Sequence, residues 1–310
     1  MKPLEAHEIK GTWGTTLLPI LEDDAIDFPR LLEQVTKLAA SGISGIYTNG
    51  TAGEFYAQSE TEFDAINELV AGICEDKQIP FQIGASHMGA QLSLERMKRA
   101  ARLKPAAIQV ILPDWYPLTD DEAIDYLQRM AEAADGIGLV LYNPPHAKRG
   151  LAPETYGKLK DAVPQLIGVK TAGGDAKWYE EMREHMRGLS VFVPGHRLAS
   201  GIAEGANGSY SNIACLNPAG AVRWFDRMTS DPKGAAAEEK RIVAFIEQHI
   251  VPFITEQGYS NAAVDKLLTE IGGWADVGTR LRWPYRSILR SEAERLRPIA
   301  ASIMPELFED

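Results

Sequence analysis

The chain has 310 residues, 45% of them hydrophobic, and a formal net charge of −11. That is enough apolar content for one large domain or two modest ones, and the negative balance excludes nucleic acid or an anionic membrane as the main partner. Cys74 and Cys215 lie too far apart in sequence to suggest a disulfide framework or a thiolate metal site; the charged segment Met1 to Lys10 and the lack of any apolar run near ~18 residues predict a cytoplasmic protein without signal peptide or membrane span.

Short apolar runs alternate with stretches of helical periodicity. In chain order the predicted strands are Thr12–Ile20, Gly45–Asn49, Phe81–Ala85, Ala107–Pro113, Gly138–Asn143, Leu166–Lys170, Ser190–Pro194 and Gly208–Asn212. Among the intervening helices, Phe28–Ala40, Ser59–Cys74, Leu92–Leu103 and Glu122–Ala134 show the clearest amphipathic spacing. Eight alternations predict an α/β fold, a (β/α)8 TIM barrel over residues 1–224, with its active site on the loops at the C-terminal strand ends. Beyond Trp224 the strand signals stop, and Ile242 to Phe253 and Ser291 to Met304 read as helices. Residues 225–310 are therefore expected to form a C-terminal helical extension packed on the barrel, in one cooperative unit, because no linker or low-complexity tract separates them.

The chemistry concentrates where a barrel would place it. Lys170 closes the run Leu166-Ile167-Gly168-Val169 and precedes the turn Thr171-Ala172-Gly173-Gly174-Asp175. An ordinary lysine, with a pKa near ~10.4, is almost wholly protonated at neutral pH. Burial at a strand end lowers that pKa, and the neutral amine attacks ketones to form Schiff bases; a surface lysine just past a strand is the plainer alternative. Gly50-Thr51-Ala52-Gly53-Glu54 follows the second predicted strand, and Tyr142 ends the fifth. His87, His146 and His196 each follow a strand and offer a zinc-binding alternative, although no H-x-H or H-x-x-x-H spacing supports it. Gly205-Ala206-Asn207-Gly208-Ser209-Tyr210-Ser211, at the eighth strand, occupies a common place for a phosphate loop.

Gly50-Thr51-Ala52-Gly53-Glu54, Tyr142-Asn143-Pro144-Pro145 and Gly168-Val169-Lys170, in that order and spacing, resemble the dihydrodipicolinate synthase and N-acetylneuraminate lyase family of Schiff-base lyases. The likeness covers about the whole chain, helical tail included. It implies that Lys170 condenses with the keto carbon of pyruvate or another 2-keto acid, and that Tyr142 shuttles protons to and from the substrate. Thr51 would orient Tyr142 and contact the keto-acid carboxylate, with backbone N–H groups of the turn around Gly50, Ala52 and Gly53 completing the anion site. The Gly205 to Ser211 region would line the substrate pocket, Ser209 with it, rather than bind phosphate, and His196 reads as a hydrogen-bonding pocket residue. The segment Leu112-Pro113-Asp114-Trp115-Tyr116-Pro117 corresponds to a paired-tyrosine relay lent by a neighbouring subunit, so Tyr116 or Trp115 is expected at an interface of a homo-oligomer, a tetramer or dimer. Neither organic cofactor nor metal is implied, only a covalent lysine Schiff base.

Departures bear on the substrate. Ala52 stands where the synthases carry a second hydroxyl, and Gln58 to Phe63 lacks the histidines tied to lysine feedback. Gly53-Glu54-Phe55-Tyr56 is similar to the turn of members that cleave or dehydrate 2-keto-3-deoxy sugar acids, and His146, Lys148 and Arg149 offer cations for a distal acid group, Arg149 by its planar fork. The expected activity is therefore a Schiff-base aldolase or dehydratase of a 2-keto-3-deoxy sugar acid. The alternatives are a dihydrodipicolinate synthase condensing pyruvate with aspartate semialdehyde, and a non-catalytic keto-acid-binding protein on the same barrel.

Overall fold

The structure, a computed structural model, describes residues 1–309, so only Asp310 of the expected extension lies outside it. The strands are β1 (Gly11–Thr15), β2 (Gly45–Tyr47), β3 (Phe81–Gly84), β4 (Ala107–Val110), β5 (Leu139–Tyr142), β6 (Leu166–Lys170), β7 (Ser190–Phe192) and β8 (Gly208–Tyr210). They pair in parallel, in sequence order, and β8 returns to β1 to close the barrel. Parallel strands under a helical coat are buried on both faces. Here every strand residue is buried except Lys170, which closes β6 and is partly exposed to a cavity above it.

The barrel helices are α1 (Phe28–Ala40), α2 (Glu60–Lys77), α3 (Ala90–Arg102), α4 (Asp120–Ala133), α5 (Pro153–Ala162), α6 (Ala176–His185), α7 (Leu198–Ala203), α8 (Asn212–Leu216) and α9 (Pro218–Ser230). Local sequence explains several starts. Capping boxes open α2 and α4: Glu62 and Glu122 accept from the backbone N–H of Ser59 and Thr119 at 2.8 and 2.7 Å, while those hydroxyls cap the helix in return. α1 begins at Asp27, whose carboxylate accepts from the Arg30 N–H at 3.1 Å.

All eight predicted strands are present, but most were drawn too long at the C-terminal end. The reason is visible after β1. Thr16 N–H still donates to the Tyr47 carbonyl at 3.0 Å, whereas Leu17 N–H turns away to the Gln34 side chain on α1 at 3.2 Å. The apolar residues past the strand ends have their own packing: Ile111 joins Phe55 and Tyr142 in a small cluster above the barrel. Inside the barrel, Trp13, Tyr47, Val140, Ile167, Phe192 and Tyr210 make a separate core, with Phe192 stacked on Tyr210 at 4.5 Å between ring centroids.

The tail comprises α10 (Pro232–Phe245), a π-helical turn at Ile246–Ile250, α11 (Val251–Thr255), α12 (Asn261–Gly272) and α13 (Arg290–Ile303). The boundary expected at Trp224 falls inside α9, and the indole N–H of Trp224 donates to the Ala235 carbonyl on α10 at 3.1 Å. α12 is buried on almost every side, its polar Lys266, Thr269 and Glu270 included, and packs against α8 and α13, so it belongs to the core and not to the surface. Among the described residues no helix is long and apolar enough to cross a membrane.

Candidate active site

Strand register sets the first contact. Tyr142 and Lys170 are direct neighbours at the C-terminal ends of β5 and β6. The Lys170 Nζ lies 4.2 Å from the centroid of the Tyr142 ring, 5.1 Å from that of Tyr47 and 5.5 Å from that of Tyr210. Three rings thus take the place of water around the amine. Burial lowers its pKa to about 8, against the opposing pull of the Asp265 carboxylate, which favours the ammonium. The Tyr142 phenol is pushed up to about 12 by burial, with the Thr51 hydroxyl opposing. Tyr210 is tied down, donating to the Gln82 side chain at 2.6 Å inside the barrel.

The turn after β2 carries Thr51 and Ala52 to the cavity wall beside Tyr142. Gly50 and Gly53 do not line the cavity; they let the turn form. A Cβ at Gly50 would sit 2.8 Å from the Tyr47 ring, and one at Gly53 3.1 Å from the Thr16 carbonyl oxygen. Glu54 adopts φ 51°, a left-handed conformation uncommon for a residue with a Cβ. Its carboxylate pairs at 2.6 Å with Lys266 on α12, both side chains being almost wholly buried. That ion pair binds the turn to the tail helix.

α12 completes the site. Its residues Asn261, Val264, Asp265 and Leu268 recur at helical spacing on one face and line the same cavity as Lys170, a space of about 270 Å³. Burial raises the Asp265 carboxyl to about 7, with Lys170 opposing. From the β7 side come His196 and from the β8 side Ser211 and Asn212. Asn212 accepts from the His196 backbone N–H at 3.1 Å, and its amide nitrogen lies 3.1 Å from the His196 Nδ1. Burial lowers the His196 pKa, the Asn212 contact opposing. Asp265 went unread in the sequence because it sits in a tail expected only to pack; an acid amid Asn261-Ala262-Ala263-Val264-Asp265-Lys266-Leu267-Leu268 was the available signal.

Other expected site residues lie elsewhere. Arg149 is ion-paired with Asp120 and donates to the Leu118 carbonyl at 2.5 Å, so its fork is occupied. It edges a second, smaller cavity of about 130 Å³ with Phe55, Ile111 and His146, which Thr51 and Tyr142 border from the other side. Ser209 is fully buried in β8 and lines neither cavity. Tyr210 faces the barrel interior, so strand alternation turns Ser209 toward the helical layer. Ser211, two residues on, takes the pocket position. Within this chain Trp115 and Tyr116 line neither cavity: they are 82% and 83% exposed on the loop between β4 and α4, where Lys148 Nζ lies 4.9 Å from the Trp115 ring centroid. The three histidines do not converge. His87 accepts from the Gly89 N–H on its own loop at 2.9 Å, His146 edges the smaller cavity and His196 the larger. Among the described residues no group of three His, Cys, Asp or Glu side chains is placed to hold a metal.

A closed parallel barrel with a desolvated lysine and a tyrosine at adjoining strand ends is the framework of an aldolase-type lyase. The chain belongs to the dihydrodipicolinate synthetase family, whose model matches residues 8–302. It is 28% identical over 209 residues to the N-acetylneuraminate lyase of Escherichia coli, an alignment covering 66% of this chain and 68% of that protein. Among solved structures, the prophage protein YagE of Escherichia coli, of the dihydrodipicolinic acid synthase family and crystallised with pyruvate, superposes with a TM-score of 0.83 at 20% identity, covering 95% of this chain and 98% of that one. CdNal from Clostridium difficile, in complex with mannosamine, gives a TM-score of 0.80 at 19% identity, covering 94% of this chain and 99% of that one. Family members are lyases, and this chain is one.

Proposed function

We propose that the protein is a Schiff-base lyase acting on pyruvate or a related 2-keto acid, through Lys170. The observation that carries this reading is a partly exposed amine, walled by three tyrosine rings, at the floor of a cavity. With a pKa of about 8, roughly one amine in ten is neutral at pH 7, against about one in three thousand for an unperturbed lysine. The neutral amine attacks the keto carbon, water leaves, and the resulting iminium draws electrons from the adjoining C–H or C–C bond. Tyr142 supplies and removes the protons, oriented by Thr51. Asp265, facing the same cavity, offsets the positive charge of the iminium. The keto-acid carboxylate meets the Thr51–Ala52 turn, where Ala52 offers only backbone; the missing hydroxyl costs about 1.5–3 kcal/mol of charged hydrogen bonding.

A 2-keto-3-deoxy acid suits this chemistry because the iminium at C2 stabilises a carbanion at C3: aldol cleavage breaks the C3–C4 bond, and dehydration removes a C3 proton and expels the C4 hydroxyl as water. The occupied fork of Arg149 weakens the case for a second acid group at the far end, and with it both the acidic sugar derivative and aspartate semialdehyde. A binding-only role leaves the desolvated amine without a purpose. Neither metal nor organic cofactor enters these steps, so turnover is expected to survive exhaustive chelation; loss that zinc restores would contradict this. The exposed Trp115–Tyr116 pair supports association of copies into a homo-oligomer, checked by sedimentation. The decisive experiment is reductive trapping. Pyruvate with borohydride should add one covalent mass, mapped to Lys170 and missing from Lys170→Ala; no adduct, or one that persists in that variant, overturns the mechanism.

A further inference from the structure

The wall that the tail gives the cavity is mostly apolar. Ile246, Ile250, Val251, Ile254, Val264 and Leu268 all line the cavity. The tail builds this surface by a local irregularity: the π-helical turn Ile246–Ile250 widens the helix, and both Ile250 and the following Val251 reach the same face. Single π-turns of this kind commonly accompany functional sites. Charge in the cavity is confined to a single pair of groups. Lys170 is the only lysine or arginine among the residues lining it, burial disfavours a charged His196, and Asp265 adds a carboxylate. A second carboxylate or a phosphate on the far end of a substrate would find no cation there and would face Asp265. Against this tail wall a polyhydroxylated chain would lose its water to six aliphatic side chains and meet only Asn261 and Asp265 as polar groups, since Thr51, Thr171, His196, Ser211 and Asn212 line the barrel side; uncharged apolar groups do not carry that cost.

We infer that the second substrate is an aldehyde with an uncharged, apolar substituent, aliphatic or aromatic, or equivalently that the cleaved acid bears such a group beyond its hydroxyl carbon. This rests on the Schiff-base reading of Lys170. In the synthetic direction the pyruvate enamine forms a carbon–carbon bond from its methyl carbon to the aldehyde carbon. The aldehyde oxygen takes a proton from Tyr142, and water hydrolyses the iminium to release a 2-keto-4-hydroxy acid; no oxidant or reductant is consumed. The acid's keto end occupies the floor, by Thr51 and Lys170, and its substituent lies against Ile250, Ile254 and Leu268.

The test uses the intact protein with pyruvate and four aldehydes: butanal, benzaldehyde, glyceraldehyde and succinic semialdehyde, each followed by formation of the keto acid. Butanal and benzaldehyde are expected to exceed the other two in kcat/KM by about 10-fold or more. With ethanal added as a fifth aldehyde, the two further methylenes of butanal should each raise kcat/KM by about fourfold. Ile254→Arg, at a partly exposed position on the wall, should shift the preference toward succinic semialdehyde; a melting curve checks that this variant is folded. Pyruvate trapping on Lys170 in the same preparation separates the two readings. If the adduct forms but glyceraldehyde or succinic semialdehyde is preferred, the apolar substrate class is overturned while the Schiff-base mechanism stands. If no adduct forms, both fall.

Discussion

Lys170 and Asp265 form a coupled pair whose pH behaviour separates their roles. Burial lowers the lysine to about 8 and raises the acid to about 7, while each charge pulls the other back toward its ionised form. The rate of pyruvate trapping should therefore rise with pH and level off above about 8, as the amine loses its proton. In Asp265→Asn the carboxylate no longer favours the ammonium, so the lysine pKa falls further and the rising limb moves to lower pH. An unchanged limb, or one displaced upward, would show that the two groups do not communicate. Turnover in the same variant should drop even where trapping is faster, because the iminium has lost its counter-charge. Tyr142 answers to a different measurement. Tyr142→Phe keeps the ring against Lys170 and removes only the proton, so turnover should fall by roughly 10²–10⁴-fold while slow trapping remains. A loss of only a few-fold would remove Tyr142 from proton transfer. That Lys170, Tyr142 and Thr51 meet at one cavity was legible because each sits at or just past a strand end within a short local motif. Asp265 was not, since its place depends on how a helix more than 90 residues downstream of β6 is docked.

Among the elements, α12 shows what local periodicity leaves unread. All eight strands could be drawn from apolar runs, and α1 was bounded to the residue, since Asp27 and the spacing of Leu31, Val35 and Leu38 mark both its start and its buried face. Nothing in the sequence announced that Lys266 would be buried at 0% exposure against Glu54, a partner 212 positions earlier. That ion pair fixes the α12 face carrying Asp265 over the turn carrying Thr51. Removing one buried charge strands the other, which costs about 3–5 kcal/mol, whereas removing both avoids the stranded charge. Glu54→Gln should accordingly lower stability by about that amount, and Glu54→Gln with Lys266→Met by clearly less than the sum of the two single changes. Denaturant unfolding of the four proteins gives the coupling directly. Additive effects would mean that the pair does not hold the turn to the helix. Arg149 makes the converse point: the sequence marked a cation near the site, but only the fold reveals that Asp120 has already claimed it.

At the scale of the whole molecule, the site lies between the barrel and its tail, so neither part is expected to work alone. The barrel supplies Lys170, Tyr142 and Thr51; the tail supplies Asp265 and the apolar wall. The contact between them is part of the core. Ile213 and Leu216 of α8 are fully buried and Trp224 of α9 nearly so, with α8 packed on α12 and the Trp224 indole bonded to α10. From the tail side, Ile242, Phe245, Leu267 and Leu296 are buried just as completely. Each such side chain contributes about 1.5–3 kcal/mol when buried, so exposing the barrel half of this contact removes an amount comparable with the whole stability of a domain, about 5–15 kcal/mol. A chain ending at Ser230, after α9, should therefore fail to accumulate as a folded monomer, although it contains all eight strands and the lysine. The full chain should unfold in one transition, with far-UV circular dichroism and tryptophan fluorescence giving the same midpoint. Two separated transitions, or a soluble 1–230 fragment with native circular dichroism that still traps pyruvate on Lys170, would show that the barrel stands by itself and that the tail was added to it.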